Sequence, residues 1–157
     1  MSVEAVRAFL KEKGLEAAYR EFSSSSATVA LAAVLGCEEG RIAKTLSLTT
    51  RSGPIVIVVM GTARLDNRKF KERFGEKAVF IKPDELESAV GHPMGGCCPF
   101  ALRPGVRVYL DVSLRAFDPV YPAAGAPNNA AELTLAQLES VTGGEWVDVC
   151  KDNLCPE

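Results

Sequence analysis

The sequence lacks the patterns expected of a membrane-spanning or secreted protein. Its longest apolar run, PIVIVVMG at residues 54–61, is far shorter than the roughly 20 residues that a transmembrane helix needs. The N-terminus, MSVEAVRAFLKEKG, is charged and amphipathic and has no apolar signal-peptide region. We therefore expect a cytoplasmic protein with no membrane partner.

Histidine is nearly absent, and this limits the chemistry. A Ser-His-Asp hydrolase would depend on His92, the one histidine of the 157 residues, and the sequence has no G-x-S-x-G motif. A net charge of −2 excludes a generally basic surface, so we expect no DNA partner and only local contact with RNA. Cysteines are odd in number and form no regular framework, which favours free thiols in a reducing compartment. They are Cys37, Cys97, Cys98, Cys150 and Cys155.

Helix and strand patterns interleave without a strict βαβ rhythm or an internal repeat. This favours one domain of the α/β (α+β) class with a mixed sheet over a doubly wound fold. Helices are predicted over residues 3–13, in the alanine-rich stretch that ends at Gly36, between Asp66 and Gly75, from Pro83 to Gly91, and after a Thr134/Gln137 capping box. Strands are predicted on both sides of a turn at Ser52-Gly53-Pro54, with the second at the sheet centre, and at AVFI, VRVYLDV, PVYPAAG and EWVDV. An extended piece is predicted at residues 17–22.

The loop VGHPMGGCCPF, residues 90–100, concentrates the residues of chemical interest. Adjacent cysteines rarely ligate one zinc ion, so we expect no metal. Cys97 and Cys98 either fill a tight loop or act as a nucleophile, and His92 is either a hydrogen-bonded loop residue or a base. Gly95 and Gly96 form either a turn or a cradle whose backbone N–H groups converge on a ligand.

Two positively charged features have alternative interpretations. Lys44, early in the strand of RIAKTLSL, either keeps its charge in solvent at a sheet edge or directs it into a cleft. The basic run RLDNRKFKERFGEK, residues 64–77, is either a solvated helix face or a guide for RNA, with Arg64, Arg68 and Lys69 as the candidate contacts.

The order of KTL, ARLDNRKFKERFG, GGCCP and VYPAAGAPNNAAELTLAQL resembles the YbaK/ProX family of aminoacyl-tRNA editing domains, which also occur as an insertion in bacterial prolyl-tRNA synthetases. The resemblance spans residues 5–149 and implies a central mixed, largely antiparallel sheet surrounded by helices. We place the domain at residues 1–149 and a tail at 150–157.

The resemblance also implies an activity. It is hydrolysis, in trans and without a cofactor, of the ester that joins alanine, cysteine, serine or threonine to tRNA for proline or a related tRNA. Lys44, Gly95 and Gly96 match the family's functional lysine and glycine loop. Two departures are Cys97-Cys98, where the cysteine-clearing branch has Ile-Ser, and Ala130, where that branch has an aspartate. Candidate substrate-binding residues are Thr45, His92, Cys97, Cys98, Pro99, Asn128 and Asn129.

The expected partner is the acceptor end of aminoacyl-tRNA. Association with an aminoacyl-tRNA synthetase and the choice between monomer and homodimer stay open. Two other functions also stay open: a non-catalytic module that binds a tRNA end or a nucleotide, and a thiol-based regulatory protein.

Overall fold

The structure, a computed structural model, describes residues 2–21, 41–92, 97–125 and 129–151. Within these ranges the helices are α1 (Ser2–Glu12), α2 (Asn67–Phe74), α3 (Pro83–Val90) and α4 (Leu135–Thr142), with 3₁₀ turns at Glu16–Ala18 and Val112–Ala116. The strands are β1 (Tyr19–Glu21), β2 (Lys44–Thr50), β3 (Gly53–Val59), β4 (Val79–Phe80), β5 (Arg107–Asp111), β6 (Asn129–Ala131) and β7 (Glu145–Val147). The predicted alanine-rich helix lies outside the described residues. None of the helices in the described ranges is long and apolar enough to cross a membrane.

A five-stranded mixed sheet forms the centre of the fold, in the order β4-β2-β3-β5-β7. The α+β class and the central position of β3 are confirmed. Strand β2 pairs antiparallel with β3 and β4, whereas β5 pairs parallel with β3 and β7, so the pairings divide evenly between the two types. A separate antiparallel pair joins β1 to β6.

The β2–β3 hairpin turns one residue earlier than predicted. Its loop is Arg51-Ser52, and Gly53 already belongs to β3 with a φ of 119°. The Thr50 hydroxyl accepts a hydrogen bond from the Ser52 amide at 3.2 Å and donates one to the Gly53 carbonyl at 2.7 Å. This side chain closes a two-residue loop, and glycine supplies the positive φ with which the chain re-enters the sheet.

The helix boundaries follow local capping. The Asp66 side chain accepts from the Lys69 amide, and Gly75 ends α2 with a φ of 75°. Thr134 and Gln137 form the predicted capping box at the start of α4. These side chains satisfy backbone groups that a helix end leaves without partners, which is why caps mark boundaries well in a sequence.

Alternation along β3 sends its side chains into cores on both faces of the sheet. Val58 packs in the core that includes α1, and Val56 packs with α3. Ile57 and Val59 pack in the core that includes Phe70 of α2. We call these two sides the α1/α3 face and the α2 face.

The packed structure extends past the predicted domain boundary at residue 149. Cys150 is buried in the core of the α2 face and forms an antiparallel bridge with Leu65. The Lys151 amide then donates to the Arg64 carbonyl at 2.8 Å. Cys150 and Lys151 therefore contact the folded domain, and the division into a domain and a tail stays a prediction.

Candidate active site

Strand β2 begins with two residues that were predicted to lie at the site. Directly opposed residues of an antiparallel pair share a face of the sheet, and neighbours along a strand lie on opposite faces. Thr45 opposes Val58, which packs on the α1/α3 face, and Lys44 opposes Val59, which packs on the α2 face. Lys44 and Thr45 therefore leave the backbone toward opposite faces.

The ammonium of Lys44 is half-buried, and within the described ranges it forms no ion pair with a carboxylate. Desolvation lowers the pKa of Lys44; Cys150 acts in the opposite direction, and the positive charge of Arg64 lowers that pKa further. A cation that has lost part of its hydration gains from an anionic partner. Lys44 is therefore suited to contact a phosphate or a developing oxyanion.

A buried polar cluster lies on the same face as Lys44. The fully buried Asp111 accepts hydrogen bonds from the Ser113 amide at 2.9 Å and the Val149 amide at 2.8 Å. The Ser113 hydroxyl accepts from the Met60 amide at 3.1 Å. Burial, reinforced by the negative charge of Asp111, raises the pKa of Cys150 to about 12. The cluster therefore joins strand ends and holds Cys150 as a neutral thiol. No sequence pattern distinguished Asp111 from other strand residues.

A small pocket of about 270 Å³ opens at the other side of β2. The Thr45 hydroxyl is buried and has no hydrogen-bond partner among the described residues. The Ser47 hydroxyl and the Cys97 sulfur are 2.9 Å apart. A buried hydroxyl without a partner costs about 1–3 kcal/mol, so Thr45 is a candidate contact for a bound polar group. The pocket is lined by Thr45, Leu46, Ser47, Phe80, Ile81, Pro83, Leu86 and Cys97.

His92 and Cys98 are in contact, but they do not form an activated thiol. His92 Nε2 lies 2.6 Å from the Phe100 carbonyl oxygen, which can only accept, so Nε2 carries the proton. Cys98 Sγ lies 3.4 Å from the same nitrogen, which therefore cannot take the thiol proton. Burial lowers the pKa of His92 and raises the pKa of Cys98. His92, Cys98 and Pro99 are buried, and their predicted contacts with substrate stay predictions.

Cys97 is the cysteine of the pair that lines the pocket. Its side chain is partly exposed, in contrast to the fully buried Cys98. Burial raises the pKa of Cys97, and the hydrogen bond with Ser47 opposes this only in part. The thiolate, which is the reactive form, is therefore disfavoured. Cys97 is placed to shape the pocket wall rather than to attack a substrate.

Asn129 forms hydrogen bonds within the folded chain. It is fully buried in β6, and its side-chain oxygen accepts from the Ala124 amide at 3.0 Å. Its side-chain nitrogen donates to the Tyr19 hydroxyl at 3.2 Å. These bonds link three segments, and the predicted role of Asn129 in substrate binding stays a prediction. Gly95, Gly96 and Asn128 lie outside the described residues, so their predicted roles stay predictions.

The three predicted RNA contacts have different surroundings. Arg64 is exposed and contributes to the electrostatic environment of Lys44. Arg68 is exposed and lies 3.5 Å from Glu72. Lys69 donates from its ammonium to Asp148 at 3.0 Å and to the Cys150 carbonyl at 2.9 Å. Lys69 thus joins α2 to the last described segment, and its predicted contact with RNA stays a prediction.

The described residues define a small α+β domain with a half-buried lysine that lacks an ion pair among them, a compact pocket and unactivated thiols. A family model for the aminoacyl-tRNA editing domain matches residues 23–141, and the chain belongs to that family. The chain is therefore a hydrolase that acts on the ester bond of mischarged aminoacyl-tRNA.

Similarity to individual proteins extends over nearly the whole chain. It is 42% identical to "Uncharacterized protein YwhH" of Bacillus subtilis over 155 residues, which cover 97% of this chain and 99% of that protein. It is 31% identical over 139 residues to "Putative Cys-tRNA(Pro)/Cys-tRNA(Cys) deacylase EbsC" of Enterococcus faecalis, covering 87% of this chain and 84% of that protein. A crystal structure described as "a putative trans-editing enzyme for prolyl tRNA synthetase" is 26% identical, with a TM-score of 0.88 and coverage of 96% and 97%.

Proposed function

We propose that the chain acts in trans on a small amino acid, one of alanine, cysteine, serine or threonine, esterified to tRNA for proline or a related tRNA. The observation that carries the proposal is the pair of consecutive residues Lys44 and Thr45. Among the described residues, the Lys44 ammonium is half-buried and has no ion-pair partner, and the Thr45 hydroxyl is buried beside a small pocket and has no hydrogen-bond partner. Each side of β2 thus offers one group that lacks a partner among the described residues.

The pocket supports a small amino acid. Its volume of about 270 Å³ falls just below the roughly 300–1,000 Å³ of sites that bind drug-sized ligands. Apolar side chains line most of it, with the Thr45 hydroxyl and the Ser47–Cys97 pair as the polar groups. Synthetases discriminate poorly between small side chains that differ by a methylene or a hydroxyl, so a second pocket of this kind supplies the missing selection.

The chemistry requires few groups because an aminoacyl ester is already activated. The protein must fix the ester, admit a water and stabilise the oxyanion, and one such donor is worth about 10²–10³ in rate. Lys44 supplies charge at the phosphate, ribose or ester, and the Gly95 and Gly96 amides are proposed to hold the carbonyl or the terminal ribose. The raised thiol pKa values of Cys97 and Cys98 argue against a covalent acyl-enzyme.

Names of relatives support the choice of tRNA and the reaction in trans. EbsC is named for cysteine on tRNA for proline and for cysteine, and the structural neighbour is described as serving prolyl-tRNA synthetase. Ala130, at the position of the aspartate of the cysteine-clearing branch, is fully buried in β6 and opposes Arg20. Because this position has no carboxylate, the amino acid need not be the cysteine in the name of EbsC.

The test is deacylation of a panel of tRNAs charged with alanine, cysteine, serine, threonine or proline, with the protein's thiols either blocked or free. We expect hydrolysis of one small aminoacyl ester, insensitive to thiol blocking. Binding without hydrolysis of any ester would favour the non-catalytic module. Hydrolysis that disappears on blocking would favour thiol chemistry.

A further inference from the structure

A second concave site lies on the outer surface of α2, away from the Thr45 pocket. It has a volume of about 440 Å³ and is lined by Asn67, Arg68, Lys71, Lys77 and Ala78. Three of its five residues carry a positive charge, one carries an amide and none is acidic. We call it the α2 cavity.

The acidic residues near the α2 cavity are engaged elsewhere. The Asp66 carboxylate caps α2 through the Lys69 amide. The Glu76 carboxylate accepts from the Arg51 amide at 3.1 Å, which turns it toward the β2–β3 loop. Glu72 lies 3.5 Å from Arg68, but both side chains are well exposed, and exposed pairs of this type contribute little. The cavity therefore keeps most of its positive charge.

Lys71 and Lys77, like Arg64, have no ion-pair partner within the described residues. Lys69 is held by Asp148, and Arg73 forms an ion pair with Glu145. The folded chain thus uses Lys69 and Arg73 for its own contacts. Lys71 and Lys77, by contrast, line one concave surface and have no ion pair in the part of the chain that the structure describes.

The α2 cavity is connected to Lys44 through the first turn of α2. Cys150 is the common neighbour: it interacts electrostatically with Lys44, forms a bridge with Leu65, and accepts from Lys69 through its carbonyl. Asn67 and Arg68 follow shortly after Leu65 in the chain and line the cavity. The cavity and Lys44 are thus both joined to the segment around Cys150.

We propose that the α2 cavity binds the phosphodiester backbone of the substrate tRNA's acceptor stem, through Lys71, Lys77 and Arg68. The proposal rests on the proposed function for its choice of polyanion. Lysines that neutralise phosphates release condensed counterions, so each contact adds to the salt dependence of binding. Such contacts position the stem without reading its sequence.

The test compares the double variant Lys71→Ala/Lys77→Ala with the double variant Lys11→Ala/Lys13→Ala. Both remove two positive charges, but Lys11 and Lys13 are exposed at the end of α1, which packs on the opposite face. The probe is an unacylated proline tRNA transcript, titrated by fluorescence anisotropy over a range of salt concentrations. Thermal melts of both variants check that they fold.

We expect the slope of log K against log salt to fall in magnitude by about 1.8 for Lys71→Ala/Lys77→Ala, at about 0.9 per phosphate contact, and by much less for the α1 variant. The KM for the best aminoacyl-tRNA should rise in parallel. Equal slopes for wild type and the α2 variant, or equal losses in both variants, would overturn the inference. Binding of unacylated tRNA requires no hydrolysis, so a failed deacylation panel with intact salt-dependent binding would reject the proposed function and leave the cavity in place.

Discussion

The α2 face and the α1/α3 face carry different chemistry, although both start from consecutive residues of β2. On the α2 face lie the Lys44 ammonium, the nearby Arg64 charge and the basic α2 cavity. On the α1/α3 face lie the Thr45 hydroxyl, a largely apolar pocket and thiols that burial keeps neutral. The charged face suits the phosphates and ribose of a tRNA end, and the neutral pocket suits the amino acid. Under the proposed function, the two sides of β2 would contact different parts of the aminoacyl-tRNA end.

The largest effect should come from removing the charge on the α2 face. Lys44→Met keeps most of the aliphatic stem, and we expect kcat/KM to fall by about 10²-fold, or about 2.7 kcal/mol of transition-state binding. The melting temperature should hold or rise, because the folded protein no longer holds an unpaired, half-buried cation. Deacylation of the best substrate measures kcat/KM, and a thermal melt measures the melting temperature. A variant that melts normally and hydrolyses at the wild-type rate would remove Lys44 from the site.

A pH profile of kcat/KM tests whether the charge of the Lys44 ammonium is the one that catalysis requires. Desolvation lowers the pKa of Lys44 below its ordinary value of 10.5, so the ammonium is present below the shifted pKa and is lost as pH rises through it. We expect kcat/KM to fall about tenfold per pH unit above that pKa, after subtraction of spontaneous hydrolysis. Lys44→Arg should retain part of the activity and lack this alkaline limb, because a guanidinium stays protonated. An identical limb in Lys44→Arg would assign the titration to another group.

Local sequence patterns predicted most of the helices and strands. The remaining strand and the partners of the charged side chains depend on contacts between residues far apart in the sequence. The β2–β3 hairpin and the capped helices follow from alternation, turn residues and caps that lie within a few residues of each other. Strand β6, Asn-Ala-Ala, has no strand pattern of its own and forms because it pairs with β1 more than a hundred residues earlier. Lys69 likewise reads as a free surface cation until the fold brings Asp148 to it. The side chains that remain unpaired could be identified only after these long-range partners were known.

On the α1/α3 face, Thr45→Val tests whether the buried hydroxyl forms a hydrogen bond with bound substrate. Valine has nearly the same shape and removes a group that costs about 1–3 kcal/mol when unsatisfied, so the melting temperature should rise by a few degrees. Deacylation should fall about tenfold, the value of one hydrogen bond to the substrate. Thr49→Val, at an exposed position of the same strand, is the control and should change neither quantity. Stabilisation without loss of activity would show that Thr45 does not contact the substrate.

The smallest effect on turnover should come from Cys97, whose role we assign to the shape of the pocket. Burial raises the pKa of Cys97, so a covalent step is not expected, and Cys97→Ala should change kcat/KM for the best substrate by less than about tenfold. The extra space should favour larger side chains, since a methylene-sized change in a pocket is worth about 1–3 kcal/mol of discrimination. Ser47→Ala removes the other partner of the 2.9 Å contact and is the matched variant. The aminoacyl-tRNA panel measures the preference, and mass spectrometry after rapid quenching looks for an acyl group on Cys97. A stable acyl-enzyme at that sulfur would reverse the assignment. The nucleophile would then lie on the α1/α3 face, and Lys44 would support a covalent reaction from the α2 face.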